Sequence, residues 1–248
     1  MKAPGCSFAL SERDIHVWTL RIDAPAGIAA EFEPVLVPSE MERAARFRFD
    51  HLRRSFVIAR GALRCLLGRY LSVCPASLHL DYGSKGKPGL ASAGGIEFNV
   101  THSGGLAVFA FTIGCPVGVD LEQIRPLTGI EDIASRFFCP EETVELMSLP
   151  PSERERAFFR CWTRKEAYVK ATGDGLSTPL DAFRVTLRPD EPAHFVHMAH
   201  DTKAASAWTL HDLNLASDYA AALAYRERQR PLSIFRTVDP RELISQMS

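Results

Sequence analysis

The stretch Arg160-Cys-Trp-Thr-Arg-Lys-Glu-Ala-Tyr-Val-Lys170 has no glycine or proline and mostly good helix formers, so it predicts a helix. Spacing of four puts Trp162, Glu166 and Lys170 on one face. A carboxylate and an ammonium one turn apart, beside aromatics, suit a metal ion and a phosphate. The plainer reading is a surface ion pair worth a few tenths of a kcal/mol.

Upstream, Pro116-Val-Gly-Val-Asp-Leu-Glu122 reads as a strand on which alternation sends Asp120 and Glu122 to the same side. Two carboxylates on one face repel unless a cation or water relieves them. An exposed strand end is the alternative. Asp120, Glu122 and Glu166 together could build an oxygen site for a hard cation. Mg²⁺ suits that set, because it takes few carboxylates, keeps waters and relies on substrate phosphates. Positive charge for those phosphates is available from Lys87, between Gly86 and Pro88, from Lys170 and His102, and from an arginine-rich segment. Thr101-His-Ser-Gly-Gly105 places a hydroxyl and an imidazole on a predicted turn, where a lone histidine ordinarily makes only a local hydrogen bond. The residues alone reach magnesium-dependent transfer or hydrolysis at a phosphate ester or anhydride. They do not name an acceptor.

The elements that must position these groups follow from pattern. Strands are expected at 15–22, 96–100, 106–112, 116–122, 183–187, 206–213 and 219–225. Ser39-Glu-Met-Glu42 has capping-box spacing and should start a helix. Residues 51–70 form a long amphipathic helix with Phe56, Leu63, Leu66, Leu67 and Tyr70 inward. Short helices are expected at 130–138 and 141–149, and the long helix runs from Ser152 to Lys170, ended by Gly173-Asp-Gly-Leu176. Both halves mix helix and strand in similar proportion. The fold class is therefore α+β in two lobes, residues 1–115 and 116–228, followed by a charged, loosely docked tail at 229–248.

Composition bounds the rest. A chain of 248 residues with 46% apolar and 24% charged residues is an ordinary globular protein. No apolar run approaches a membrane span, and the N-terminus lacks the apolar core of a signal peptide, so the cytoplasm is the default. Six scattered cysteines without a Cys-x-x-Cys suggest neither zinc nor a disulfide framework. Net charge is −1, yet residues 39–70 hold eight arginines against three acids, a net of +5. Such a patch attracts a polyanion or an acidic protein, unless it is only a solvated helix face.

Val117-Gly-Val-Asp120, then 41 residues, then Trp162-Thr-Arg-Lys-Glu-Ala-Tyr-Val-Lys170 resembles the two-part signature of the surfactin-type 4′-phosphopantetheinyl transferases. Gly86-Lys-Pro88, Phe98-Asn-Val-Thr-His-Ser-Gly104, Arg136-Phe-Phe138 and Gly173-Asp-Gly-Leu176 match in order. The resemblance spans residues 86–176, and more loosely Arg43–Arg64. Thr101 stands where the family commonly has serine and keeps the hydroxyl. The second acid, Glu122, is absent from some members and present here.

The resemblance implies a two-lobed α+β fold with pseudo-twofold related halves and coenzyme A in the cleft between them. It implies transfer of the 4′-phosphopantetheine arm of coenzyme A to a serine of an acyl or peptidyl carrier protein, releasing adenosine 3′,5′-bisphosphate. Mg²⁺ would be held by Asp120, Glu122 and Glu166. Arg43, Lys87, Thr101, His102, Asp120 and Lys170 would bind coenzyme A. Glu166, or a water it orients, would act as base, with Glu142 assisting and Lys165 a further candidate for contact with the reacting groups. Carrier proteins are typically acidic after their serine, and residues 124–138, from Ile124 through Arg125, Arg136 and Phe137 to Phe138, offer a basic and apolar surface for one. One of the two phenylalanines is expected in the core. Members of this length imply a monomer, with no nucleic acid and no membrane involved.

Two other classes fit parts of the pattern. A magnesium-dependent pyrophosphatase would use the same carboxylates with water as acceptor. An RNA-binding module would interleave exposed aromatics with the arginines of Arg43–Arg64, where Phe47, Phe49 and Phe56 lie.

Overall fold

The computed structural model describes residues 9–83, 85–90, 95–173, 175, 178–198, 205–227, 229–237 and 239–245. Eleven strands and seven helices follow in chain order among them. They are β1 (Ile15–Arg21), α1 (Ala26–Phe32), α2 (Pro38–Ala45), α3 (Asp50–Leu71), β2 (Leu80–Tyr82), β3 (Pro88–Leu90), β4 (Ile96–Ser103), β5 (Leu106–Ile113) and β6 (Val117–Gln123). The second half adds α4 (Ile130–Phe137), α5 (Pro140–Ser148), α6 (Pro151–Thr172), β7 (Phe183–Val185), β8 (Phe195–Met198), β9 (Thr209–Asp212), β10 (Tyr219–Tyr225), β11 (Leu232–Thr237) and α7 (Glu242–Ser245).

Strand alternation explains how the layers stack. On β5, Ala107, Phe109 and Phe111 pack with Ile58, Leu63 and Leu66 of α3, while Leu106, Val108 and Ala110 face the other way. There they meet Val117, Val119 and Leu121 of β6 and Leu223 of β10. The opposite face of β10, with Ala222 and Ala224, packs with Ala167 and Val169 of α6. The result is four layers: α3, the sheet β11-β1-β5-β4, the sheet β6-β10-β9, and α6. Each half thus lays one 22-residue helix on its own sheet. This is the mixed α and β arrangement expected.

Four expectations shift. The helix at the capping-box motif begins earlier, at Pro38. The carboxylate that reaches back is Glu40, whose Oε2 accepts from the Val37 amide at 3.2 Å, rather than Glu42. Strand β4 runs on to Ser103, so Thr101 and His102 belong to a strand. Only Gly104 and Gly105 turn, at φ +52° and +83°, where residues with a Cβ are strained. The segment after residue 228 is no loose tail. Its β11 pairs in parallel with β1 from Ile15↔Leu232 to Leu20↔Thr237, and Phe235 stacks on Trp18 with centroids 4.4 Å apart. Leu243 is buried as well, and Arg69 donates to the Glu242 and Leu243 carbonyls at 2.9 and 2.7 Å. The end of the chain therefore completes the first lobe. Finally, β8 was not foreseen; it pairs with β7 in a short hairpin.

No helix among the described residues is long and apolar enough to cross a membrane. Cys65, Cys74, Cys115, Cys139 and Cys161 are free thiols, and Cys6 lies outside the described residues. So do Asp174 and Leu176 of the glycine-rich motif after α6.

Candidate functional site

Strand β6 and helix α6 meet backbone to backbone. A Cβ on Gly118 would lie 2.1 Å from the Ala167 carbonyl oxygen and 2.4 Å from the Ala171 nitrogen, so only hydrogen fits there. That close approach brings the ammonium of Lys170 to the carboxylate of Asp120. Lys170 Nζ donates to Asp120 Oδ1 at 2.5 Å and to Thr101 Oγ1 at 3.2 Å, and the Thr101 hydroxyl donates to Asp120 Oδ1 at 3.3 Å.

A seam of polar side chains holds β4 against β6. From Asn99 onward every second residue of β4 takes part, as alternation requires. Asn99 Oδ1 accepts from the Val119 amide at 3.0 Å, Thr101 bonds Asp120, and Ser103 Oγ donates to Glu122 Oε2 at 2.9 Å while accepting from the Gln123 amide at 3.2 Å. Asn99 and Ser103 were not singled out from sequence. The signal was there: three small polar residues at alternate positions of a strand.

Above the seam lies a cleft of about 640 Å³. Its walls are the 85–88 turn, Asn99 and Val100 of β4, Trp162, Glu166, Val169 and Lys170 of α6, Phe137, and the segment 178–180. Trp162, Glu166 and Lys170 do share one helix face, and that face lines the cleft. Phe137 is half-exposed at the rim, edge-on to Trp162 at 5.6 Å, with the Arg136 guanidinium 5.3 Å from its ring. Phe138 is the buried member of the pair.

The electrostatics single out the three carboxylates. Burial, followed by the charge of Asp120, raises the Glu166 carboxyl above its ordinary value despite Lys170 pulling it down. Burial raises Glu122 too, against the opposing hydrogen bond from Ser103, with Asp120 adding to the rise. Asp120 Oδ2 is buried and accepts no hydrogen bond. A buried carboxylate oxygen without a partner, flanked by two acids that disfavour one another's charge, suits a cation. Among the described residues no three His, Cys, Asp or Glu side chains form a ready metal cage.

The remaining expected residues divide. Lys87 lines the cleft, but its ammonium donates to the Lys170 carbonyl at 2.8 Å and the Val117 carbonyl at 3.3 Å, tying the β2–β3 turn to the end of α6. Burial lowers its pKa. His102 is solvent-exposed on β4, and desolvation on its protein side with the Lys170 charge lowers its pKa. Arg43 is elsewhere, in a shallow depression with Ser39, Arg46 and Phe47, its guanidinium 5.3 Å from the Phe56 ring.

Glu142 and Lys165 do not reach the cleft lining. Both are fully buried and paired at 2.7 Å. Glu142 Oε1 accepts from the Val185 amide at 2.7 Å and Oε2 from the Cys139 amide at 3.1 Å. Lys165 Nζ donates to the carbonyls of Leu180, at 2.7 Å, and Phe183. The expectation of Glu142 as an assisting base gives way, because both of its oxygens are committed within the core. Lys165 is likewise buried, outside the cleft lining. The pair joins α5, α6 and the 180–185 segment that walls the cleft.

A family model described as "4'-phosphopantetheinyl transferase superfamily" matches residues 116–224. The chain is 39% identical to the 4′-phosphopantetheinyl transferase HetI of Nostoc sp. across 88% of this chain and 90% of that protein. It is 33% identical to a putative 4′-phosphopantetheinyl transferase of Synechocystis sp., across 82% of this chain and 81% of that protein. The 4′-phosphopantetheinyl transferase Sfp of Bacillus subtilis is 29% identical, across 64% of this chain and 70% of that protein.

Proposed function

The chain belongs to the 4′-phosphopantetheinyl transferase superfamily, and from that premise we propose how its cleft works. The enzyme transfers phosphopantetheine from coenzyme A to a carrier protein. The acceptor is a serine hydroxyl of an acyl or peptidyl carrier protein, and adenosine 3′,5′-bisphosphate is the leaving product. The observation that carries this reading is the Lys170–Asp120–Thr101 cluster beneath Glu166, with Asp120 Oδ2 left for a cation.

Serine is a weak nucleophile at neutral pH and needs a base. Glu166 lines the cleft and is placed to accept a proton there, directly or through a water it orients. It takes the serine proton as the oxygen attacks the β-phosphorus of the coenzyme A pyrophosphate. The new P–O bond forms as the bond to the bridging oxygen breaks. Lys170 faces the cleft and stabilises the charge growing on the departing phosphate. Asp120, Glu122 and Glu166 would hold Mg²⁺, which supplies Lewis-acid charge to the pyrophosphate. Ser103 aims Glu122, and Thr101 aims Asp120 and Lys170. His102 and Lys87 flank the cleft as contacts for coenzyme A, and Arg43 extends the basic surface toward a more distant phosphate.

Residues 124–138 form the carrier-protein surface in this reading. Arg125 and Arg136 are exposed, and Phe137, beside the Arg136 guanidinium, lines the cleft. Charged rims with an aromatic anchor suit docking of an acidic helix. The enzyme acts as a monomer in the cytoplasm.

Incubation with coenzyme A, Mg²⁺ and a panel of apo carrier proteins tests the proposal, read by intact mass for addition of the arm. Addition to at least one carrier, abolished by chelation, is the expected result. Consumption of coenzyme A with no carrier present would replace transfer by hydrolysis.

A further inference from the structure

Helix α6 carries a second row of charge that the cleft does not use. Arg156, Arg160 and Arg164 follow at intervals of four, so they lie along one face, close to half a turn from the Glu166–Lys170 row. Arg164 is fully committed. It holds Asp212 with two bonds, at 2.9 and 2.6 Å, and also donates to the Thr186 carbonyl and hydroxyl. Its two neighbours are not. The side chain of Arg156 donates to the Ser217 carbonyl at 2.8 Å, and that of Arg160 to the Leu187 carbonyl at 2.8 Å. A guanidinium has five N–H donors in a fork matched to carboxylate and phosphate. One carbonyl each leaves most of that capacity open.

Both arginines wall a separate pocket of about 240 Å³ between α6 and the ends of β9 and β10. Thr163, Asn214, Tyr219 and the Arg164-paired Asp212 line it as well. The acids facing Arg160 are Asp212, neutralised by Arg164, and Asp190. Three guanidiniums stand against two carboxylates. The surplus registers at Arg160, whose pKa is lowered by burial and by the charges of Arg164 and Arg156. An anion in the pocket would relieve that repulsion.

We propose that this pocket is a binding site for one small oxyanion, held by Arg156 and Arg160 with the Asn214 amide. The volume is below that of sites for drug-sized molecules or nucleotides. The occupant is therefore a single phosphate or carboxylate group, and the site is distinct from the cleft in which coenzyme A reacts.

Two probes separate the sources of that chemistry: inorganic phosphate and acetate, each titrated against chloride at matched ionic strength. The protein is first saturated with adenosine 3′,5′-bisphosphate, so that phosphate sites in the cleft are filled. Affinity is read from the shift in Tm and from perturbation of amide signals around residues 212–221. One or both anions should raise Tm with saturation, and the one that does identifies the class. Arg160→Gln should weaken binding about tenfold or more, the scale of a lost charge-assisted hydrogen bond. Arg156→Gln, which removes a more exposed side chain, guards against misfolding of the first variant and should weaken it similarly. No saturable response to either anion overturns the proposal. So does a response that survives both substitutions. Were the protein not to bind adenosine 3′,5′-bisphosphate, the assignment of the cleft would fail while the effect of Arg156 and Arg160 could still be read.

Discussion

Substituting Gly118 by alanine tests the geometric basis of the site with one methyl group. The Cβ would sit 2.1 Å from the Ala167 carbonyl oxygen, where ordinary contact begins at 3.4 Å. The obstructing atoms are helix backbone, so no side chain can swing aside. Helix and strand must part by 1.3 Å, the difference between 3.4 and 2.1 Å, to restore ordinary contact. Overpacking of this kind costs about 1–3 kcal/mol, and the backbone location places it at the upper end. The same displacement carries Glu166 and Lys170 away from Asp120. A misplacement of ~1 Å at reacting groups costs on the order of 10²-fold in rate. Gly118→Ala should therefore be folded, less stable in urea by about 2–3 kcal/mol, and slowed about a hundredfold in single-turnover transfer followed by intact mass. Gly27→Ala is the control, since nothing lies within 4 Å of a Cβ in α1. It should be neutral or slightly stabilising. A Gly118→Ala protein that loses stability but turns over normally would show that the α6–β6 approach does not set the reacting geometry.

Glu166→Gln keeps size but cannot take a proton, and should lose ~10²-fold in rate or more while keeping its melting temperature. Lys170→Ala should lose a similar factor through charge stabilisation; wild-type turnover in either would reduce the pair to a surface contact. Lys165→Met strands Glu142 in the core and should cost ~3–5 kcal/mol in urea denaturation. The double variant with Glu142→Gln should recover part of that, and a stable Lys165→Met with wild-type stability would contradict a buried ion pair. Phe235→Ala should cost about 3–5 kcal/mol, since the ring is buried against Trp18; a loosely docked tail would show no loss. The folded-state pKa of His102 lies below the unfolded value near 6.5. Protons then bind the unfolded chain more readily, so the His102 contribution is full above pH ~6.5 and lost as pH falls through the folded value. His102→Gln should flatten that segment of the stability profile.

How far the sequence could be read depends on the range of the interactions involved. Helix α6 and strand β10 were legible because local pattern and burial agree along their whole length. The sharing of a face by Trp162, Glu166 and Lys170 followed from helical periodicity alone. Thr101 and His102 were misplaced on a turn because glycines mark its end but not its beginning. Strand β4 continues through Ser103 only because β5 and the β6 seam both hold it. Strand β11 was missed because nothing in Leu232-Ser-Ile-Phe-Arg-Thr237 announces a partner more than two hundred residues earlier. Glu142 and Lys165 were given chemistry from the resemblance, and spacing in sequence carries no record that both turn into the core.

The same distinction explains how the site is assembled. Its acids come from β6 and α6 of the second lobe, while their hydrogen-bond partners Thr101 and Ser103 come from β4 of the first. Neither lobe alone completes it. The first lobe's sheet is closed by β11, which the chain supplies only after the second lobe has been traversed. Loss of β11 would expose the outer edge of β1 and remove Phe235 from the core beneath α3. The effect should travel through β1 and β5 to β4, and so to the seam that aims Asp120 and Glu122. Phe235→Ala is accordingly expected to do more than lower stability. Well below its melting temperature it should also raise the KM for coenzyme A, measured at saturating carrier protein. An unchanged KM in a destabilised but folded Phe235→Ala protein would mean that the lobes are coupled through folding alone.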